Sequence, residues 1–163
     1  MSDAIGYAVR DGVCYLKLSG ELRHDSAGPL DALVERLYEQ QGHEFSAVAI
    51  DLNQAVFMDS TVIGLLAGTA REQLARGLAA PTVFSTNPEI NQLLQSLRLD
   101  EVFNVVEQAT APGAQDDKLS ACEAQQCSAA GILRAHETLV ELNEANRDKF
   151  QSVIDLFRDE CEP

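Results

Sequence analysis

Apolar residues along the chain change from the spacing of a strand to that of a helix near its middle. The run from Ser46 to Leu52 is apolar and β-branched and contains no turn residue, which predicts a buried strand. Asn53-Gln54 is expected to end that strand. From about residue 60 to 76 the apolar side chains recur every three or four positions, which predicts an amphipathic helix ended by Gly77.

The flanking segments predict strands and helices that alternate. Asp11-Gly12 lies between two alternating segments, residues 5–10 and 13–19, and this pattern is typical of a β-hairpin. Alternation along the rest of the domain requires crossover connections and therefore favours an α/β fold with a mixed, mainly parallel sheet. The other predicted elements are a helix from Pro29 to near Gly42, a strand over 81–85, a helix capped by Asn87 and a last strand over 102–106.

The C-terminal part has a different composition. Residues 109–120 are polar, contain Pro112-Gly113 and read as a linker between a domain over 1–108 and a helical extension over 121–163. Asn146 interrupts an apolar stripe, as in helices that fix the register of a self-associating pair. The stripe must be buried against the domain, a second copy in a homodimer, or a second protein target. It comprises Ile132, Leu139, Phe150, Val153 and Phe157.

Net charge limits the kinds of partner. At −14, the chain would be repelled by phosphate backbones and by anionic lipid surfaces, so nucleic acid and membrane are not expected partners. The acidity either steers a basic protein partner or only maintains solubility. The chain contains no run of 18 apolar residues and no secretory signal at its start, so we expect a cytoplasmic protein.

Motifs of known catalytic chemistry are missing from the sequence. It has no Gly-rich phosphate loop and no G-x-S-x-G elbow, and His24, His43 and His136 show no metal-ligand spacing. Cys122 and Cys127 form a C-x4-C pair without a second pair, which argues against a zinc site. We therefore expect no enzyme activity, no metal and no cofactor.

A hydroxyl and a carboxylate stand together where the central helix begins. Asp59 and Ser60 follow the predicted buried strand directly. A helix start presents unpaired backbone N–H groups and the positive end of the helix dipole, which together suit a phosphate group. The same residue types are also those of ordinary N-capping, so the local pattern alone leaves both interpretations open.

The wider stretch Met-Asp-Ser-Thr-Val-Ile-Gly-Leu-Leu resembles the signature of STAS domains, the fold of bacterial anti-sigma factor antagonists. Asp59, Ser60, Thr61 and Gly64 match that signature, whereas Val62 departs from its first glycine. The resemblance covers about residues 5–108. It implies that Ser60, or alternatively Thr61, is the phosphorylated residue.

A second stretch resembles the turn that precedes the first helix in the same family. It contains Gly-Glu-Leu, but Arg23 stands where that family often has an aspartate. The resemblance implies a partner-binding surface that includes Glu21, Arg23 and Asp25 together with the Ser60 motif.

The function that the resemblance implies is partner switching in signal transduction and transcription regulation. The unmodified protein would bind an anti-sigma factor that is also a serine kinase, phosphorylation of Ser60 would release it, and a serine phosphatase would reset it. The alternative is a STAS scaffold or signalling module that acts on another target, such as a signalling enzyme, with Ser60 only a helix cap.

Overall fold

The computed structural model describes residues 4–39, 45–109, 120–121 and 125–161. Short 3-10 turns at Leu99–Glu101 and Glu144–Asn146 accompany the regular elements. In chain order these are β1 (Ala4–Arg10), β2 (Val13–Leu22), α1 (Gly28–Glu39), β3 (Ala47–Met58), α2 (Ser60–Ala75), β4 (Thr82–Phe84), α3 (Pro88–Ser96), β5 (Asn104–Val106), β6 (Ser120–Ala121), α4 (Ala129–Leu142) and α5 (Arg147–Cys161).

The sheet is mixed and mainly parallel, as predicted. The six strands among the described residues have the order β5-β4-β3-β2-β1-β6. The strands from β2 to β5 pair in parallel, while β1 pairs antiparallel with both β2 and β6. Asp11 and Gly12 both have positive φ, at 52° and 79°, which is the backbone of the tight hairpin turn that this dipeptide predicts.

Strand β3 is longer than predicted, and this difference positions the functional site. It continues through Asn53-Gln54 to Met58 instead of ending at Leu52. The side chain of Asn53 accepts a hydrogen bond from the Thr86 backbone at 2.9 Å and donates one to the Gln108 carbonyl at 2.8 Å. Because these bonds satisfy its polar groups, Asn53 does not break the strand, which carries the chain on to Ser60.

Two further differences concern strands: Ser120, at the end of the predicted linker, begins the short strand β6, and the last parallel strand starts later than predicted. The last parallel strand begins at Asn104, because the 3-10 turn that starts at Leu99 takes up the chain before it. Gly77 has a φ of 69°, consistent with the predicted left-handed helix end. The expected end of α1 near Gly42, the linker around Pro112-Gly113 and Cys122 lie outside the described residues.

The C-terminal extension is helical, as predicted, and consists of helices α4 and α5 separated by a break at Asn143–Asn146. Asn146 is only 1% exposed, and its side chain donates hydrogen bonds to the backbone carbonyls of Leu97 and Leu139. Ile132, Leu139 and other apolar residues of α4 belong to the same core as the sheet and α2. Of the locations that the sequence left open, α4 occupies the one against its own domain.

Candidate functional site

The site lies where the carboxyl ends of β2 and β3 meet. Leu22 and Met58, their last residues, are paired in the parallel register. The backbone N–H of Asp59 donates to the Leu22 carbonyl at 3.1 Å. The loop after β2 and the start of α2 are therefore neighbours, although they are far apart in the sequence.

Asp59 is the residue that connects this loop to the helix. One carboxylate oxygen accepts a hydrogen bond from the Val62 backbone at 3.0 Å, which makes Asp59 the N-cap of α2. The other oxygen accepts from the His24 backbone at 2.8 Å and lies 3.4 Å from Nδ1 of the His24 ring. The capping function at the motif thus belongs to Asp59, and Ser60 is the first residue of the helix.

The hydroxyl of Ser60 instead contacts a histidine of the C-terminal extension. Its Oγ lies 2.8 Å from Nε2 of His136 on α4. Nδ1 of the same ring lies 2.8 Å from the carbonyl oxygen of Ile132, which can only accept, so Nδ1 carries a proton. Since a neutral imidazole carries only one N–H, Nε2 accepts and the Ser60 hydroxyl donates.

Burial keeps this imidazole neutral. His136 is 2% exposed, and its ring lies edge-on to Phe150 with centroids 5.3 Å apart. Desolvation lowers the pKa of His136 and outweighs the hydrogen bond to Ile132 and the charge of Asp59, both of which raise it. The proton of Ser60 is therefore directed toward a buried base.

Helix α4 crosses α2 directly above this point. A Cβ atom added to Gly64 would lie 2.3 Å from the carbonyl oxygen of Ala135 and 2.8 Å from its side chain. No side chain fits in that space, so Gly64 permits the two helix backbones to approach closely. The glycine of the sequence motif therefore contributes here to packing between helices.

The predicted partner-binding residues divide into buried and exposed groups. Thr61 is 4% exposed and Gly64 is covered by α4, so neither is accessible. Asp59 and Ser60 are half-buried. The exposed members of the set are Glu21, Arg23 and Asp25.

The exposed rim includes apolar residues that sequence reasoning missed. Val56 and Phe57, near the end of β3, are 63% and 42% exposed. The Arg23 guanidinium lies 4.6 Å from the Phe57 ring centroid and 3.2 Å from the Glu21 carboxylate. We call Glu21, Arg23, Val56 and Phe57 the rim patch; an exposed aromatic with an arginine is typical of protein interfaces.

His136 was also missed as a site residue, although the sequence carried a signal. It follows Ile132 by four positions and precedes Leu139 by three, so it is a polar residue within an apolar helical stripe. That placement indicates a buried histidine with a polar partner, but it does not identify Ser60 as the partner.

The described residues contain no group of three or more His, Cys, Asp or Glu side chains arranged to hold a metal ion. Cys127 is buried, and burial raises the pKa of its thiol to about 11, so the thiol stays protonated at neutral pH. Among the helices that the structure describes, none has the length and apolar character needed to cross a membrane.

Comparison with known proteins places these features in a family. The model of the STAS domain family matches residues 4–110. Among solved structures, the chain is similar to the anti-sigma factor antagonist SpoIIAA in its unphosphorylated form, with 20% identity over 61% of this chain and 96% of that chain and a TM-score of 0.49. It is also similar to an anti-sigma factor antagonist from Mycobacterium paratuberculosis, with 21% identity over 66% of this chain and 87% of that chain and a TM-score of 0.49. Because the family model spans most of its length, the chain belongs to the STAS domain family.

Proposed function

We propose that the protein is a phospho-regulated partner-switching protein, an anti-sigma factor antagonist that binds an anti-sigma factor with serine kinase activity and is released when Ser60 is phosphorylated. The observation that carries the proposal is the division of roles at the helix start. Asp59 caps α2, so the hydroxyl of Ser60 is not needed for capping. Ser60 also follows the exposed Phe57 of the rim patch by three residues along the chain, and that patch gives a protein partner an apolar and charged surface to bind.

The electrostatics of this position suit a phosphorylation switch. A phosphoserine adds roughly −1.5 to −2 charges, which the N-terminal end of a helix dipole stabilises. The domain itself is therefore expected to tolerate the phosphate. A partner surface that fits a neutral hydroxyl beside the Asp59 carboxylate is expected to reject the added charge, so phosphorylation releases the partner without unfolding the domain.

In this proposal the protein is a substrate, and its partners carry out the chemistry. The kinase supplies ATP and transfers the phosphoryl group, and a serine phosphatase removes it. The antagonist itself uses no cofactor. Its net charge of −14 favours a kinase whose docking surface is basic.

The test is phosphate uptake by matched variants. The full chain is incubated with ATP and a candidate anti-sigma factor kinase, and added phosphate is measured by intact mass. Wild type and Thr61→Ala are expected to gain one phosphate and Ser60→Ala none, while all of them keep the circular dichroism of the folded protein. Wild-type uptake by Ser60→Ala together with loss of uptake in Thr61→Ala would move the site to Thr61.

A second candidate is favoured by the contact between Ser60 and His136. Because that hydrogen bond satisfies the hydroxyl within the fold, Ser60 would then be a structural residue of a STAS module that acts on another target, such as a signalling enzyme. In that case Ser60→Ala lowers the stability of the protein, and wild type takes up no phosphate from the kinase.

A further inference from the structure

The C-terminal extension contacts the candidate site through its helix α4 and through the segment before that helix. Within α4, His136 holds the Ser60 hydroxyl and Ala135 packs on Gly64. Before α4, the Cys127 N–H donates to the carbonyl of His24 at 2.7 Å, in the loop that Asp59 also binds. The extension thus touches both segments that form the site.

Polar contacts fix α4 in this position from both sides. The Arg134 guanidinium lies 2.7 Å from the Asp31 carboxylate and 3.1 Å from that of Glu35, both on α1. Arg71 on α2 donates to the Thr138 hydroxyl of α4 at 3.0 Å. Together with the shared apolar core, these contacts hold the first turns of α2 beneath α4.

This arrangement conflicts with access by a kinase. A kinase must bring its bound ATP to Ser60 Oγ and must also bind the chain around it. Here the Ser60 hydroxyl donates to a buried ring, and Thr61 and Gly64 of the same motif are covered. In the described structure, Ser60 is therefore only partly exposed to a kinase.

We propose that α4 and α5, which pack on each other and are here called the α4–α5 hairpin, form an autoinhibitory cover over Ser60. The hairpin competes with the kinase for the first turns of α2 and must move away before Ser60 is phosphorylated. This inference rests on the proposed function, because it concerns access to the same serine. If the kinase binds only molecules in which the hairpin has moved away from α2, its apparent affinity is lowered in proportion to the fraction of such open molecules. Contacts between α4 and α2 then set the rate of phosphorylation without touching the kinase.

The same geometry admits an opposite role for His136. A neutral imidazole that accepts a serine proton is the arrangement of a general base beside a nucleophile. As a base, His136 would take the proton while the Oγ–P bond forms and the bond from the γ-phosphorus to ADP breaks. The close approach of α4 at Gly64 favours the cover, because a base requires one side chain near Ser60 and not a helix packed on its neighbours. The two roles predict effects of opposite sign when His136 is removed.

The experiment measures the initial rate of Ser60 phosphorylation in full-length variants, with saturating ATP and limiting kinase. Gly64→Ala introduces a methyl group against the Ala135 carbonyl and should displace α4. Gly68→Ala makes the same change one turn later, where the added Cβ meets only Val34 at 3.5 Å, and is the matched control. His136→Leu removes the acceptor from α4 itself, outside the surface that the kinase would contact.

The expected result is a faster rate in the variants that weaken the cover. Because one ordinary hydrogen bond changes an equilibrium about fivefold, His136→Leu should be phosphorylated about fivefold faster than wild type, and Gly64→Ala at least as fast as that. Gly68→Ala should match wild type. Amide hydrogen exchange over residues 129–142 should rise in His136→Leu and Gly64→Ala but not in Gly68→Ala.

Other results separate the two hypotheses. Slower phosphorylation of His136→Leu would assign a base and overturn the cover. Equal rates in all variants would also overturn the cover while leaving Ser60 as the phosphorylated residue, as would unchanged exchange over residues 129–142. Absence of phosphate on Ser60 in every variant would overturn the proposed function, and the cover with it.

Discussion

At the scale of single residues, adjacent side chains of the motif bind different parts of the chain. Asp59 binds His24, 35 positions earlier, and Ser60 binds His136, 76 positions later. The sequence predicted that both belong to a helix start, because capping depends on neighbouring residues. It did not predict their partners, because each contact depends on how distant segments pack.

The buried imidazole gives the protein a stability that depends on pH. The pKa of His136 is lowered in the folded state from an ordinary value of 6.5. As the pH falls through 6.5, the unfolded chain binds a proton there that the folded chain does not, so the free energy of unfolding decreases. The decrease is at most about 1.4 kcal/mol per pH unit.

Urea unfolding at about pH 7.5 and about pH 5.5 measures this dependence. Wild type should lose more stability between these values than His136→Leu, whose side chain does not titrate. Carboxylates that titrate in the same range affect both proteins and cancel in the difference. Parallel losses in the two proteins would show that His136 has an ordinary pKa in the folded state.

At the scale of elements, local signals were sufficient for the hairpin, the parallel strands and the cap of α3, where Asn87 accepts from the Glu89 backbone. They failed where a polar residue has a distant partner. Asn53 does not end β3, because Thr86 and Gln108 bind its side chain. The break between α4 and α5 was not predicted, because its Asn146 binds the Leu97 carbonyl, 49 positions earlier.

Asn146 has a different role from the one that the stripe suggested. Its side chain donates to the carbonyls of Leu97 and Leu139, at 2.9 Å each, within one chain. Asn146→Ala should take the side-chain donor away from the buried Leu97 carbonyl, while the Leu139 carbonyl keeps its bond from the Asn143 backbone. The free energy of unfolding should fall by about 1–3 kcal/mol. Light scattering should show an unchanged mass. Asn143→Ala, which removes a capping bond to the Ala145 backbone, is the control and should cost about 1 kcal/mol.

A dimer-specific role predicts the reverse for this pair of variants. Asn146→Ala would then change the oligomeric state while its unfolding in urea stayed close to that of wild type. Such a result would show that Asn146 fixes the register between the helices of two associated chains.

At the scale of the whole molecule, the extension and the family domain share one apolar core. The sequence showed that the stripe had to be buried, because a helix of this length is not stable alone in water. The sequence did not show which surface buries the stripe. That choice depends on shape, since α4 fits where Gly64 lacks a side chain and Ala135 has a small one.

Removal of residues 110–163 tests this shared core. The truncation removes the buried side chains of Ile132, Leu139 and Val140 together with the helix that packs on α2. At about 1.5–3 kcal/mol for each buried side chain, the loss is roughly 5 kcal/mol or more, which approaches the whole stability of an ordinary domain. The truncated chain should therefore melt far below wild type and bind a hydrophobic dye. Leu156→Ala, at an exposed position of α5, should melt like wild type.

The same measurement limits how the cover opens. If complete release of α4–α5 costs roughly 5 kcal/mol, only about one molecule in several thousand is open at equilibrium, and a kinase must contribute binding energy to displace the hairpin. If the truncated chain instead melts like wild type while a dimer present in the full chain is lost, the extension is an association arm and the core does not need it. Melting curves and light scattering on the truncated and full-length chains distinguish these outcomes, because only a hairpin that belongs to the core links the stability of the domain to the exposure of Ser60.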